Sequence, residues 1–163
     1  MEQTILKLEN VNSILNSEKG PVYVLNDICL DLIKGSIVGL IGESGSGKTQ
    51  LCLASTGMQD LTPGVVKGNV KICIDNLSID VYPDQSSGRS VYRDINNNYK
   101  RKNSISYNRE VFKGTKNIKT NVIGWIPQDP RNFLNPFWTM KRFFKETYSL
   151  IKISVDDNFS NFN

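Results

Sequence analysis

Gly42-Glu43-Ser44-Gly45-Ser46-Gly47-Lys48-Thr49 stands directly after the apolar run Ile37-Val38-Gly39-Leu40-Ile41. Its fixed positions follow the pattern G-x-x-x-x-G-K-[ST] without interruption. Glycines let a backbone curl around an anion so that successive N–H groups point inward, and a following helix adds its positive end. Lys48 then reaches the outer phosphates. The Thr49 hydroxyl suits Mg²⁺, which takes oxygen ligands and is shared between protein and nucleotide phosphates. These eight residues read as a site for a triphosphate with magnesium. The bland alternative is a glycine-rich turn with an incidental lysine. Context argues against it, because a strand-like run enters the loop and Lys48-Thr49-Gln50-Leu51-Cys52-Leu53-Ala54-Ser55 leaves it as a helix that Gly57 can end.

Composition sets the outer bounds. At 163 residues and 39% hydrophobic content the chain suits one globular domain. No apolar stretch approaches the roughly 18 to 20 residues needed to span a bilayer, and Met1-Glu2-Gln3-Thr4 does not open a signal peptide, so a cytoplasmic chain is expected. Cys29, Cys52 and Cys73 lie far apart inside apolar runs and read as small core residues rather than disulfides or metal ligands. The net charge of +4 is unevenly spread: residues 86–121 carry +7 and the remainder −3.

Taken in order, Thr4 to Val11 reads as a first strand, Asn16 to Pro21 as a turn cluster, and Val22 to Leu32 as a second strand. After the loop and its helix, Leu61-Thr62-Pro63-Gly64 breaks the chain. Val70, Ile72 and Ile74 then alternate with polar residues as a further half-buried strand. Strands followed by a phosphate-loop helix suggest an α/β core with an antiparallel strand layer attached to one side.

From Pro83 to Asn121 the pattern gives way to Ser, Asn, Gly and basic residues, including Asn96-Asn97-Asn98 and Lys100-Arg101-Lys102. So little apolar surface predicts a long disordered insertion over 83–121. Tyr92, Tyr99, Tyr107 and Phe112 interleave with the charges and would allow base stacking on a nucleic acid. No recognition module accompanies them, and a solvated basic loop with no specific nucleic-acid partner is the favoured reading.

Order resumes at Asn121-Val122-Ile123-Gly124-Trp125-Ile126, an expected buried strand stopped by Pro127 and Pro130. Gln128 is thereby displayed at a strand end, where its amide carbonyl can coordinate Mg²⁺ or an attacking water. Past Leu134-Asn135-Pro136, Thr139 to Ile151 has helical spacing, and 152–163 reads as a polar tail. Phe133, Phe137 and Trp138 form an apolar cluster expected to meet a partner or another part of the domain.

Together, GESGSGKT at Gly42 to Thr49, the preceding Leu25-Asn26-Asp27-Ile28-Cys29-Leu30, and Gln128-Asp129-Pro130 with Leu134-Asn135-Pro136 resemble the ATP-binding subunits of ABC transporters. The likeness is strongest to oligopeptide, dipeptide and nickel importers, whose entry into a second sheet Thr62 to Gly68 also resembles. It implies a P-loop NTPase core with an antiparallel β subdomain, the whole of 1–163 being a partial, truncated ABC ATPase domain. By this resemblance Gly42, Glu43, Ser44, Gly45, Ser46, Gly47, Lys48 and Thr49 bind ATP, with Lys48 stabilising the phosphates. Thr49 and Gln128 serve Mg²⁺, Gln128 being the Q-loop glutamine that senses γ-phosphate. The implied partners are a membrane-spanning permease subunit and a second ATP-binding subunit, and the implied place is the cytoplasmic face of a membrane.

This sequence also departs from the family pattern. The LSGGQ-like signature, the strand ending in Asp-Glu and the switch histidine are not in it; the chain has no His at all. Ile72-Cys73-Ile74-Asp75-Asn76 only superficially resembles the Asp-ending strand and precedes Gln128. The family's base-stacking aromatic falls at Leu15, which cannot stack on a base, and Tyr23 is a neighbour but not a clean substitute. The chain thus matches the N-terminal half of a nucleotide-binding domain, as a fragment, a truncated product or one piece of a split protein, and is expected to bind ATP without turnover on its own. A GTPase would need an Asn-Lys-x-Asp segment, which is missing, and a small kinase would lack the Gln128 neighbourhood. The remaining alternative is a catalytically incompetent nucleotide-binding remnant with a basic interaction loop.

Overall fold

The computed structural model describes residues 3–74, 77–82, 91–129 and 134–150. They divide into two units, one through Thr115 and one from Lys116 onward. The first is built on a four-stranded antiparallel sheet of β1 (Thr4–Ser17), β2 (Gly20–Ile33), β3 (Pro63–Ile74) and β4 (Leu77–Asp80) in the order β2-β1-β3-β4. Pairing of β1 with β2 continues to Ser17 opposite Gly20, and the Ser17 hydroxyl donates to Gly20 O at 2.7 Å. The expected turn cluster therefore shrinks to two residues and both strands outrun their expected ends. Likewise Pro63 and Gly64, read as a break, open β3.

β1 has a neighbour on each edge, and Leu8, Val11, Asn12, Ser13 and Ile14 are all buried. Simple alternation would hide every second residue. Here register shifts between Leu8 and Ile14 turn extra side chains inward. Asn10 and Asp27 take φ of 51° and 53°, a region that Asn and Asp tolerate best among residues with a Cβ. Asn10 Nδ2 donates to Asp27 Oδ1 at 3.0 Å, and Asn12 Nδ2 donates to Asn10 O at 2.8 Å. Gly68 (φ 93°) crosses this point, and a Cβ there would run into the Asn10 carbonyl.

Helix α1 (Lys48–Ser55) has the expected extent and ends at Gly57, whose φ is 66°. The run Ile37–Ile41 that leads into it joins no sheet, and Ile37 and Ile41 are 99% and 100% exposed. Val122–Ile126 corrects the second buried-strand expectation in the same way, with Ile126 88% exposed. A strand exists only through its ladder. Among the described residues no segment pairs with either run, so their apolar composition alone does not make them strands. The described sheets are antiparallel throughout, and among the described residues no parallel strand pair is present.

The segment expected to be a disordered insertion is folded from residue 91, and belongs to the first unit as far as Thr115. It carries the hairpin β5 (Val91–Arg93) and β6 (Tyr99–Arg101), then α2 (Ser104–Asn121). Residues 83–90 of that insertion, and the expected tail at 152–163, lie outside the described residues. Few apolar residues suffice because they recur with helical period: Tyr107, Val111, Thr115 and Ile118 are the buried positions of α2. Val111 and Thr115 pack at Gly57 together with Val81. Arg101 is buried with its guanidinium 3.6 Å from the Tyr107 ring centroid, and its Nη2 donates to Val65 O at 2.6 Å.

Cys29 is exposed and Cys52 and Cys73 are half-buried, which corrects their reading as core. Cys29 Sγ instead accepts the Asn10 N–H at 3.3 Å. In the second unit α3 (Met140–Leu150) matches the expected helix closely.

Tyr82 is buried and its hydroxyl donates to Ala54 O at 2.9 Å, joining β4's end to α1. Burial, and to a lesser degree Tyr107, pushes its pKa well above the usual tyrosine range, while Arg101 pulls it down. A phenol that holds its proton more tightly when folded contributes stability that is intact below the ordinary tyrosine value of about 10 and is lost as pH rises beyond it. Thermal melts between about pH 9 and 11 should therefore show a falling Tm, and Tyr82→Phe should flatten that fall. An unchanged slope in the variant would mean that Tyr82 is not the titrating group.

Candidate functional site

The Gly42–Thr49 loop is held by two glycines and one lysine. Ser46 N donates to Glu43 O at 3.3 Å to close a turn, and Gly45 and Gly47 take φ of 82° and 89°. Gly47 is the N-cap of α1, and Leu51 N donates to its carbonyl at 2.8 Å. A Cβ on Gly47 would stand 2.7 Å from Val24 O and 3.6 Å from Leu25 Cδ2, so this glycine is also where the loop lies against β2. Sequence reading missed Val24, since its contribution is a backbone oxygen that any residue would carry.

No side chain caps α1 and no acid stands in its first turn. The first-turn N–H groups lack intrahelical acceptors, and the positive end of the helix is not offset by a carboxylate. Lys48 Nζ folds across the loop and donates to Gly42 O at 2.8 Å, Glu43 O at 2.6 Å and Ser46 Oγ at 3.3 Å. All three partners are uncharged. The charge of the ammonium is thus solvated by the loop without being neutralised, which fits a triphosphate: anionic oxygens can exchange for these carbonyls and gain charge-assisted bonds. Glu43, Ser44, Gly45 and Ser46 are exposed along the loop, as is Thr49, where a hydroxyl can join magnesium brought by a nucleotide.

In the second unit α2 ends as Val122 N and Ile123 N both donate to Ile118 O. Gln128 follows in an exposed bend rather than at the end of a strand. Beyond it, Asn135 organises a turn, its side-chain Oδ1 accepting Phe137 N and its carbonyl accepting Trp138 N, both at 3.0 Å. Thr139 caps α3 through an Oγ1 contact to Arg142 N at 3.3 Å. Phe137 is 92% exposed, and Met140, Phe144 and Tyr148 follow it at helical spacing as one bare stripe. Trp138 is half-buried, with the Arg142 guanidinium 4.8 Å over its ring. Phe133 and Pro130 lie outside the described residues.

A sequence model of the family described as ABC transporter matches residues 25–159. The chain belongs to the ABC transporter family. Among relatives of this ABC transporter chain, Methionine import ATP-binding protein MetN 2 of Bacillus licheniformis is 38% identical over 63 residues, 39% of this chain and 18% of that protein. Methionine import ATP-binding protein MetN of Desulfitobacterium hafniense is 37% identical over 75 residues, 46% of this chain and 20% of that protein. The Escherichia coli protein called uncharacterized ABC transporter ATP-binding protein YejF is 26% identical over 150 residues, 92% of this chain and 23% of its own length. The chain thus spans about a fifth of the length of these relatives. No solved structure matches it significantly. Among the described residues no helix is long and apolar enough to cross a membrane.

The two glycines of the loop differ in what a methyl group would meet. Gly45 has open space, so Gly45→Ala bears only the left-handed backbone cost of about 1 to 2 kcal/mol. Gly47→Ala adds the collision with Val24 O and should lower Tm further than Gly45→Ala does. Equal melting temperatures would show that the loop's contact with β2 does not stabilise this fold.

Proposed function

We propose that the chain is the ATP-binding portion of an ABC importer's ATPase, energising uptake of a peptide or similarly small solute across a membrane. The observation that carries this reading is the Lys48 ammonium held only by neutral oxygens of a glycine loop that caps a helix. Family membership and relatives whose printed names are methionine import proteins support the import side, while the peptide class rests on the motifs quoted from the sequence.

In this reading bound Mg-ATP supplies the free energy of phosphoryl transfer. The Gly42–Thr49 backbone wraps the phosphates, Lys48 exchanges its carbonyl partners for phosphate oxygens, and the Thr49 hydroxyl is a metal ligand. Gln128 is the Q-loop glutamine, reporting nucleotide state to a permease subunit. A second ATP-binding subunit completes the hydrolytic site, and the assembly works at the cytoplasmic face of the membrane.

Charge-assisted bonds of about 1.5 to 3 kcal/mol are lost with the ammonium, so Lys48→Ala should weaken Mg-ATP binding by roughly ten- to a hundredfold. Titration calorimetry measures this, and equal affinity in two folded proteins would sink the assignment.

Docking to the permease is expected to run through Phe137 more than Trp138, since Arg142 already covers the Trp138 ring. An interface anchor is worth at least about 2 kcal/mol, so Phe137→Ala should weaken capture of the transporter's own membrane-spanning subunit roughly thirtyfold. Undiminished capture would remove Phe137 from the interface.

A further inference from the structure

We propose that the outer face of α2 is a docking surface for an anionic phospholipid bilayer, with Lys102, Arg109 and Lys113 reaching the headgroups and Ile105 and Phe112 entering between and below them. This is contact with lipid itself and does not depend on the nucleotide or permease reading. The helix carries apolar side chains on two sides, and only one side is covered. Tyr107, Val111 and Thr115 are buried, Val111 and Thr115 against Gly57 and Val81. Ile105 and Phe112 stand off that seam and are 79% and 58% exposed. Seven residues apart, they fall close to one line along the helix, with Arg109 between them and Lys113 one turn beyond Arg109. The inner seam also prevents α2 from rolling over to hide them. The Arg101 guanidinium covers the Tyr107 ring, and Tyr107 N donates to Asn103 O at 2.9 Å to fix the first turn.

The charges on this face await an anion. Lys102, Arg109 and Lys113 are exposed, and among the described residues none of them forms an ion pair. Arg109 and Lys113 repel each other at their spacing of four, a cost that an anionic surface relieves. From Lys102 to Thr115 the one acid is Glu110, which accepts the Ser106 hydroxyl at 3.5 Å. Lys102, Ser104, Ile105, Ser106 and Arg109 line an open cleft of about 430 Å³, room for a phosphodiester headgroup between two cations and two hydroxyls. The apolar pair decides which polyanion fits. A nucleic acid also supplies phosphates, but its bases gain from flat rings, and Ile105, the more exposed of the two, has none. A bilayer surface presents anionic oxygens above hydrocarbon, so it meets cations and protruding aliphatic and aromatic groups together.

Vesicle flotation of the full chain, with no nucleotide and no other protein, tests this. Vesicles of phosphatidylcholine with about a third phosphatidylserine should carry the chain upward, and phosphatidylcholine alone should not. Raising the salt concentration should release it. Arg109→Gln with Lys113→Gln should weaken binding to the anionic vesicles roughly ten- to thirtyfold, and Ile105→Ser with Phe112→Ser roughly tenfold or more. All four side chains are exposed, so both variants should keep the wild-type circular dichroism spectrum. Glu110→Gln removes the acid and should strengthen binding about fivefold, on the anionic vesicles only. Equal binding to both vesicle types, or binding that survives unchanged in either double variant, overturns the proposal. So does Phe112-dependent retention of single-stranded oligothymidylate without flotation, which would make this face a nucleic-acid surface.

Discussion

The Gly42–Thr49 loop rests on one close approach, that of Gly47 to the carbonyl of Val24. The residue must lack a Cβ for two independent reasons, a φ of 89° and the absence of space, and it must also begin α1. Those demands fall on a single position because the loop is short and has to reverse direction, start a helix and rest on the sheet at once. What results is a loop whose position is set by an antiparallel strand rather than by the extended run that feeds into it. Lys48 then needs no carboxylate to hold it, since carbonyls of the same loop are within reach.

The parts that were legible in the sequence are those governed locally. Helix α1 was bounded correctly because Gly47, the helix formers after it and Gly57 are local signals. The hairpin of β1 and β2 was legible from alternation, though its length was not, since pairing across the strands, not propensity, decides how far they extend. The runs at Ile37–Ile41 and Val122–Ile126 show the opposite case. Apolar, β-branched composition marks a segment that wants burial, but only a partner can provide the ladder, and composition cannot say whether one is present. Cys29 failed for a related reason: its neighbours are apolar, yet the strand's alternation puts it on the outer side.

The stretch from Val91 to Asn121 looked too polar to fold because apolar content was counted rather than placed. Four buried positions on α2 and one buried arginine are enough to seat it. Arg101 satisfies its charge with backbone carbonyls and the Tyr107 ring, so a residue that counted toward disorder contributes to packing. The consequence reaches the candidate site, since Val111 and Thr115 of α2 pack at Gly57, just beyond the C-terminal end of α1.

Ile37–Ile41 has a bearing on how the isolated polypeptide behaves in solution. An exposed apolar run that joins no sheet among the described residues, and that contains no proline, is a template on which a second such run can add. A second copy adding to this run would stand directly before the Gly42–Thr49 loop.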